Sequence, residues 1–260
     1  METFVALLFL HGNQLFSSFQ SIMIYYFYNS HYIMKKNSSC DLQTCFMCKH
    51  TLPEWHAAIN SHKRNFIAKK GEEIIKEGDA VTGVYFVTSG NVKVHKQWGD
   101  KELILRFANS GAIIGHRGIS SNHSAYPISA TALETTSLCF VDIDFFKSTI
   151  RVNHDFAYAL LMFYADELQA SEKKMRDLAL MSVKGRLAVA ILSLRDQFGL
   201  NDNGFLNLTI SRQDLAAFTG ATYETVFRTM NELLAEKLIH VQDKMIGILD
   251  EAKLLDLSNR

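Results

Sequence analysis

Apolar residues recur at helical spacing in two short stretches near the C-terminal end of the chain. The repeating positions are Leu215, Ala216, Phe218, Val226, Met230, Leu233 and Leu234. Gly220 separates the two stretches and tolerates the positive φ that a tight turn requires. Ser211 and Thr222 stand where each can cap the helix that follows. The pattern therefore predicts a helix-turn-helix.

The outer face of the second predicted helix carries residues suited to reading DNA. Near its N-terminal end this face presents, besides the cap Thr222, the side chains of Tyr223, Glu224, Thr225 and Arg228. Glu224 can accept a hydrogen bond from cytosine N4, and Arg228 can donate two to guanine O6 and N7. A recognition helix meets base edges at this end. The alternative is that Glu224 and Arg228 form an i,i+4 pair on a solvated helix.

Basic and polar residues near the same unit are candidates for phosphate contacts, which position a protein on DNA without reading sequence. They are Lys184, Arg186, Arg212 and Gln213. Each of them is nearly as well explained as a solvated surface residue.

A long apolar stripe precedes this unit, over residues 153–182. Its positions alternate at spacings of four and three: Ala157, Leu161, Tyr164, Leu168, Ser171, Met175 and Leu178. The spacing predicts one helix that pairs with a second copy, with Leu160 and Phe163 beside the seam and packed on the preceding domain. A helix that packs only within its own chain is the alternative. A two-fold dimer would place two recognition helices about 34 Å apart, so its operator would be an inverted repeat of double-stranded DNA.

Residues 66–142 alternate short apolar runs with glycine turns, which predicts an antiparallel barrel or jelly roll. The predicted strands are Glu73–Ile75, Gly83–Ser89, Asn91–His95, Leu103–Phe107 and Ser137–Val141. Small wing strands are expected at 206–208, 239–241 and 246–249. The chain as a whole is therefore predicted to be α+β.

The first 33 residues differ from the rest because they contain neither Lys nor Arg. Polar residues interrupt their apolar run, so neither a secretory signal nor a spanning helix is predicted. We interpret this segment as a misassigned extension of a protein that starts at Met34. A weak membrane anchor is the alternative.

The composition excludes some classes of function and favours others. A formal net charge of +0 over 260 residues argues against a purely electrostatic, histone-like binder. Three of the four cysteines, Cys40, Cys45 and Cys48, fall within nine residues, which is typical of a metal or cluster site in a reducing, cytoplasmic setting. Three interpretations of these cysteines remain open: an iron–sulfur cluster, a zinc site with His50 or His56 as added ligands, and redox or inert thiols. No nucleophile–base constellation stands out, so no enzyme is predicted.

Two motifs resemble a known family. Glu224-Thr225-Val226-Phe227-Arg228 resembles the E-T-(V/I)-x-R motif in the recognition helix of the Crp/Fnr regulators, which usually carry Ser or Gly where Phe227 stands. The pattern K-K-G-E-x-I-x-x-E-G-D over residues 69–79, with the strand that follows it, is similar to the cyclic-nucleotide-binding β-roll. The similarity extends from about residue 40 to the C-terminus. It implies a dimeric DNA-binding regulator, with RNA polymerase as a further partner.

The Fnr-like branch of that family implies a cofactor. Residues 132–139 resemble the Fnr segment that supplies the fourth ligand of an oxygen-labile [4Fe–4S] cluster. The resemblance thus implies a cluster held by Cys40, Cys45, Cys48 and Cys139, although the C-x4-C-x2-C spacing departs from the Fnr pattern.

The resemblance argues against a cyclic nucleotide as the effector. Gly115-His116 stands where the family's pocket has Gly-Glu, and Ala125-Tyr126-Pro127 falls where its Arg would be. His116, Arg117 and Tyr126 could line a changed effector pocket, the alternative being ordinary loop and rim residues.

Together these features predict five parts. They are an N-terminal extension (1–33), a cysteine segment (34–65), a sensory β-roll (66–152), a dimerisation helix (153–182) and a winged helix-turn-helix (183–260). The predicted function is a cytoplasmic transcription regulator that senses oxygen or redox state, with no membrane partner. The alternative is a regulator with a small-molecule effector and a structural zinc or no metal.

Overall fold

The computed structural model describes residues 33–34, 41–120 and 125–258. The N-terminal extension hypothesis therefore concerns residues that lie almost entirely outside the description, as Cys40 does. Within the described part of the chain, no helix is both long enough and apolar enough to cross a membrane.

Two antiparallel sheets face each other in the first half of the chain. One has the strand order β1-β2-β9-β4-β7 and the other β3-β8-β5-β6, while β10 and β11 form a separate hairpin. The strands are β1 Ile33–Met34, β2 Lys63–Ala68, β3 Glu73–Ile75, β4 Gly83–Ser89, β5 Val92–Trp98, β6 Lys101–Ala108, β7 Ile113–Ile114, β8 Ser129–Ala132, β9 Thr136–Asp142, β10 Ile239–Gln242 and β11 Met245–Ile248. Buried residues from both sheets, including Val87, Val94 and Leu138, form one core between them. This arrangement is the predicted β-roll.

The strand predictions hold where glycine turns mark the boundaries. β3 and β4 begin and end at the predicted residues, β6 extends beyond its prediction at both ends, and β5 begins one residue later and ends three residues later than predicted. β2, β7 and β8 were not predicted. β2 begins with polar residues, yet Lys63 and Asn65 are buried because this strand pairs along its length with β9. β8 contains one serine and two alanines, and Thr131 is its single β-branched residue, so its strand signal is weak.

The helices are α1 Phe46–His50, α2 His56–His62, α3 Ile143–Val152, α4 His154–Leu180, α5 Val183–Phe198, α6 Arg212–Thr219, α7 Tyr223–Ala235 and α8 Glu251–Ser258, with 3₁₀ turns at Pro53–Trp55 and His116–Gly118. The predicted long helix is confirmed as α4, which has 27 residues. Phe156 and Leu160, on one side of it, are buried against the β-roll.

The opposite side of α4 carries an exposed apolar stripe. Leu161, Leu168 and Met175 are each 61% exposed and recur every seven residues, as the coiled-coil prediction requires. Tyr164 and Leu178 were predicted in the same seam and are half-buried. The Tyr164 hydroxyl donates to the His116 carbonyl, and Leu178 lies against Gly220, so both side chains contact their own chain.

The helix-turn-helix is confirmed in its local detail. Ser211 caps α6 by accepting from the backbone N–H of Asp214, and Gly220 ends that helix with a φ of 64°. The core of this domain also includes Ile104 and Phe107 of β6, so the domain packs directly on the β-roll. The wing is the hairpin β10–β11. The strand predicted at 206–208 is absent from the described structure, where Leu206 forms an isolated bridge with Leu200 and its backbone N–H donates to the Ile246 carbonyl oxygen of β11 at 2.8 Å.

Candidate nucleic-acid interface and sensory sites

The recognition helix α7 presents an acid, a guanidinium and two aromatic rings on its exposed face. Thr222 caps it by accepting from the backbone N–H of Thr225 at 3.2 Å. Glu224 and Arg228 are both exposed. The rings of Tyr223 and Phe227 stack with centroids 6.2 Å apart. Buried residues on the other face, such as Val226 and Met230, fix the helix in its domain, so the exposed face is rigidly held.

Two of the predicted phosphate contacts lie in the first turn of α6, next to this face. Gln213 is exposed and Arg212 is half-buried. The Nη1 of Arg212 is buried and has no hydrogen-bond partner within the described residues. Burial lowers the pKa of Arg212, because desolvation disfavours the charged form. A phosphate oxygen would supply the acceptor that this guanidinium lacks.

The other two phosphate candidates, Lys184 and Arg186, contact residues of their own chain. Lys184 Nζ lies 2.6 Å from Glu236 Oε1 and 3.8 Å from Glu232 Oε2. Arg186 donates to the carbonyl oxygens of Met181 and Thr219, both at 2.8 Å. Its guanidinium therefore ties together the ends of α4 and α6, where helical carbonyls have no partner inside their own helix.

The three described cysteines meet in one apolar cluster behind the β-roll. Cys45 immediately precedes α1, Cys48 lies within that helix, and Cys139 lies in β9, yet all three are buried and belong to the same core. This core contains Phe156 and Leu160 of α4.

The donor chemistry of this cluster fits a thiolate-bound group, since soft metals and iron–sulfur clusters prefer sulfur ligands. As they stand, however, no three His, Cys, Asp or Glu side chains of the described chain converge closely enough to hold a metal ion. Binding would require Cys40, which lies outside the description, and a closer approach of the thiols. The candidate zinc ligands are otherwise engaged, with His56 Nε2 3.1 Å from the Cys48 carbonyl oxygen and the His50 ring against Phe46.

Two residues of the predicted effector pocket converge on a carboxylate of α4. Arg117 donates from Nε and Nη2 to Glu167 Oε2 at 3.0 and 2.7 Å, and His116 Nε2 lies 3.3 Å from the same atom. Arg106 of β6 approaches the other oxygen, with Nε 3.1 Å from Oε1. A phosphate entering here would compete with the Glu167 carboxylate for these guanidinium groups.

The electrostatics of this cluster favour an ionised Glu167. Burial alone would raise the pKa of Glu167, but the hydrogen bond from His116 and the charges of Arg106 and Arg117 outweigh it and lower the pKa to about 2. Burial lowers the pKa of His116, so the imidazole donates as a neutral group. Burial also lowers the pKa of Arg106, against the pull of Glu167, yet a guanidinium stays charged at any ordinary pH.

Tyr126, the third predicted pocket residue, supports the turn that carries His116. Its hydroxyl donates to the Gly83 carbonyl oxygen at 2.7 Å and accepts from the Gly83 backbone N–H at 3.2 Å. Its ring lies beneath Gly115 and Gly118. The structure thus gives Tyr126 a packing role, and gives His116 and Arg117 a partner in Glu167 that the sequence did not reveal.

Comparisons with known proteins agree with this architecture. A cyclic nucleotide-binding domain matches residues 67–153, and a Crp-like helix-turn-helix domain matches residues 185–257. The cAMP-activated global transcriptional regulator CRP of Salmonella typhimurium is 30% identical over 180 residues, which cover 67% of this chain and 84% of that protein. The fumarate and nitrate reduction regulatory protein of Vibrio cholerae is 26% identical over 196 residues, covering 73% and 76% of the two chains.

Structural similarity leads to the same family. The structure of FixK2 from Bradyrhizobium japonicum superposes with a TM-score of 0.67 at 25% identity, covering 75% of this chain and 96% of that one. The two sequence relatives are regulators rather than enzymes, as expected for this chain. The chain belongs to the Crp/Fnr family of DNA-binding transcription regulators, whose members form dimers.

Proposed function

We propose that this regulator reads an inverted-repeat operator through α7 as a homodimer, and that it senses oxygen or redox state through a thiolate-bound [4Fe–4S] cluster. The observation that carries the proposal is the position of α4. Its outer face carries the exposed apolar stripe, and its inner face packs on the cysteine core, so one helix joins the candidate sensor to the candidate dimer interface.

DNA reading is assigned to Glu224 and Arg228, with Arg212 and Gln213 on the phosphates. Thr222, Tyr223 and Thr225 form the first turn that brings these side chains to the base edges. Phe227 adds an apolar surface, which suits contact with a thymine methyl group. RNA polymerase is the expected partner once the dimer is bound at a promoter.

The test is binding to an operator selected from random duplexes. Replacing Arg228 by Ala should cost about 1–3 kcal/mol of specific affinity and relax the base preference at one position of each half-site. Arg151→Ala, an exposed arginine of α3, is the matched control and should leave affinity unchanged. Equal binding by both variants, or no preference of the native protein for palindromic duplexes, would refute the assignment.

The cluster is assigned to Cys40, Cys45, Cys48 and Cys139. When bound, it would supply an oxygen-labile link between the cysteine segment and β9. Phe46, which follows Cys45 in α1, packs against α4, with its ring centroid 6.0 Å from that of Phe156 and 5.3 Å from that of Phe163. A change in the position of α1 would thus reach α4 through these rings. A cluster that stabilises one arrangement of α4 over another is sufficient for a switch.

Anaerobic purification tests this assignment. The native protein should be brown, with a broad absorption band near about 400 nm that air bleaches, and should contain iron and acid-labile sulfide. Cys139→Ala should lose the band while retaining its circular-dichroism spectrum. His56→Ala is the control and should keep the band.

The second candidate is a regulator with a small-molecule effector that holds a structural zinc or no metal. A colourless, zinc-containing or metal-free protein from the same preparation would support this candidate and remove the iron–sulfur cluster.

A further inference from the structure

A cleft of about 330 Å³ opens where the β-roll, α4 and the DNA-binding domain meet. Its wall is largely apolar and includes Leu105, Phe107, Leu178, Val189 and Phe218. This volume lies in the range of sites that hold small organic molecules. Neither the cysteines nor the residues of α7 belong to its wall.

The ammonium of Lys174 lies in the wall of this cleft. It donates to the carbonyl oxygens of Ile104 at 2.7 Å and Leu105 at 3.3 Å, and it lies 4.2 Å from the centre of the Phe218 ring. These partners are neutral. Burial lowers the pKa of Lys174 to about 8, and no nearby carboxylate opposes that effect. The cleft therefore contains a buried positive charge without a counter-ion.

The other charged residues of the wall have partners of their own or are exposed. Arg186 is bonded to backbone carbonyls and Arg106 to Glu167, while Lys173 is exposed. The single acid, Asp177, accepts from Arg176 at 2.6 Å. Lys174 is thus the group in this wall that has most to gain from an added negative charge.

We propose that the cleft binds a small organic anion, with its carboxylate or similar acidic head at Lys174 and an apolar body against Phe107, Leu178 and Phe218. Transfer of the body from water to this wall is favourable, and the head supplies the negative partner that the ammonium lacks.

The position of the cleft gives such a ligand a route to DNA binding. The ligand would touch β6, α4, α5 and α6 together, and α6 packs directly against the recognition helix. Binding that differs between two arrangements of these elements shifts their equilibrium. The inference does not depend on the cluster or on the operator sequence.

Fluorescence titration of the full-length protein tests the site. The probe is 1-anilinonaphthalene-8-sulfonate, an aromatic anion whose emission rises in apolar surroundings. We expect saturable binding of one probe per chain. Decanoate should displace it about ten-fold more effectively than decan-1-ol, because the alcohol has the same body without the charge.

Two variants locate the binding. Lys174→Met keeps the side-chain length and should weaken probe binding about ten-fold or more. Ser193→Trp places a large ring at an exposed position in the wall and should abolish binding by filling the cleft. Lys147→Met, an exposed lysine of α3, is the matched control and should bind as the native protein does. Thermal unfolding of each variant checks that it is folded.

The outcomes are distinct. Loss of binding in the Lys174 and Ser193 variants alone supports the site. Undiminished binding by either of them, or equal displacement by decanoate and decan-1-ol, would overturn it.

Discussion

Glu167 and Lys174 lie seven residues apart on α4 and approach neighbouring residues of β6. The partners that surround the two charges are nevertheless different. Glu167 meets Arg106 of β6 together with His116 and Arg117. Lys174 meets only the carbonyl oxygens of Ile104 and Leu105 in that strand. Burial removes water from both side chains, so the difference lies in what replaces the water.

The two pKa shifts express this difference. At Glu167, burial alone would raise the pKa, but a hydrogen bond and two positive charges outweigh this effect. The lowered pKa means that folding favours the ionised carboxylate. At Lys174 the lowered pKa, set by burial alone, means that folding disfavours the ammonium. The first site is a fixed link between the β-roll and α4. The second has a charge that the fold leaves without a negative partner, an arrangement that is common at binding sites.

Removing Glu167 should produce the largest effect. Glu167→Ala leaves Arg106 and Arg117 partly buried without their counter-ion, and breaking a buried pair in this way costs about 3–5 kcal/mol. Urea unfolding at pH 7 measures the loss. Glu172→Ala, on the exposed side of α4, is the matched control and should change stability by less than about 0.5 kcal/mol. Equal effects of the two variants would contradict the structural role of Glu167.

Acid should weaken the same link. The folded-state pKa of Glu167 is about 2 and its ordinary value is 4.5, so its contribution is complete above pH 4.5 and is lost as the pH falls toward 2. The shift corresponds to at most about 3 kcal/mol. We expect the stability difference between the native protein and Glu167→Gln to shrink over this pH range. A difference that stays constant from pH 6 to pH 3 would show that the carboxylate is not held ionised.

The sequence correctly predicted those features that depend only on residues close together in the chain. The caps Ser211 and Thr222 and the turn at Gly220 each carry a local signal, because a cap needs only an oxygen near the next N–H groups. The same applies to β4, which ends just before the turn glycine Gly90.

The sequence did not predict which flank of α4 faces inward. A coiled-coil seam needs a second set of positions beside the seven-residue repeat of Leu161, Leu168 and Met175. The spacing allows that set to lie on either flank of the repeat. Tyr164 and Leu178 fit the spacing but contact their own chain, since the β-roll and the DNA-binding domain cover that flank. The distinction depends on tertiary packing.

The polar sites were predicted least well, because their partners too are brought together only by tertiary packing. Glu167 joins residues 50 and 51 positions earlier in the chain, and no local pattern links them. Arg186 had the charge for a phosphate contact, but the ends of α4 and α6 meet around it and supply carbonyl acceptors. The cysteine core is intermediate, because Cys45 and Cys48 are close in sequence whereas Cys139 reaches them only through the fold.

The smallest expected effect is the most informative for the comparison. Lys174→Met removes a buried charge that folding disfavours, which should stabilise the fold. It also removes two hydrogen bonds to carbonyl oxygens of β6, which should destabilise the fold by a similar amount. We expect the variant to lie within about 1 kcal/mol of the native protein at pH 7. The pH dependence separates the two terms. With a folded-state pKa of about 8 and an ordinary value of 10.5, the folded state releases its proton first. The native protein should therefore gain stability relative to the variant as the pH rises from 8 to 10.5.

Urea unfolding of the native protein, Lys174→Met and Lys147→Met across this pH range measures the gain. Lys147→Met should follow the native curve, because Lys147 is exposed. If the native protein instead lost stability relative to Lys174→Met above pH 8, the ammonium would have a compensating negative partner in the fold. Lys174 would then resemble Glu167, and the electrostatic reason for an anion in the cleft would disappear.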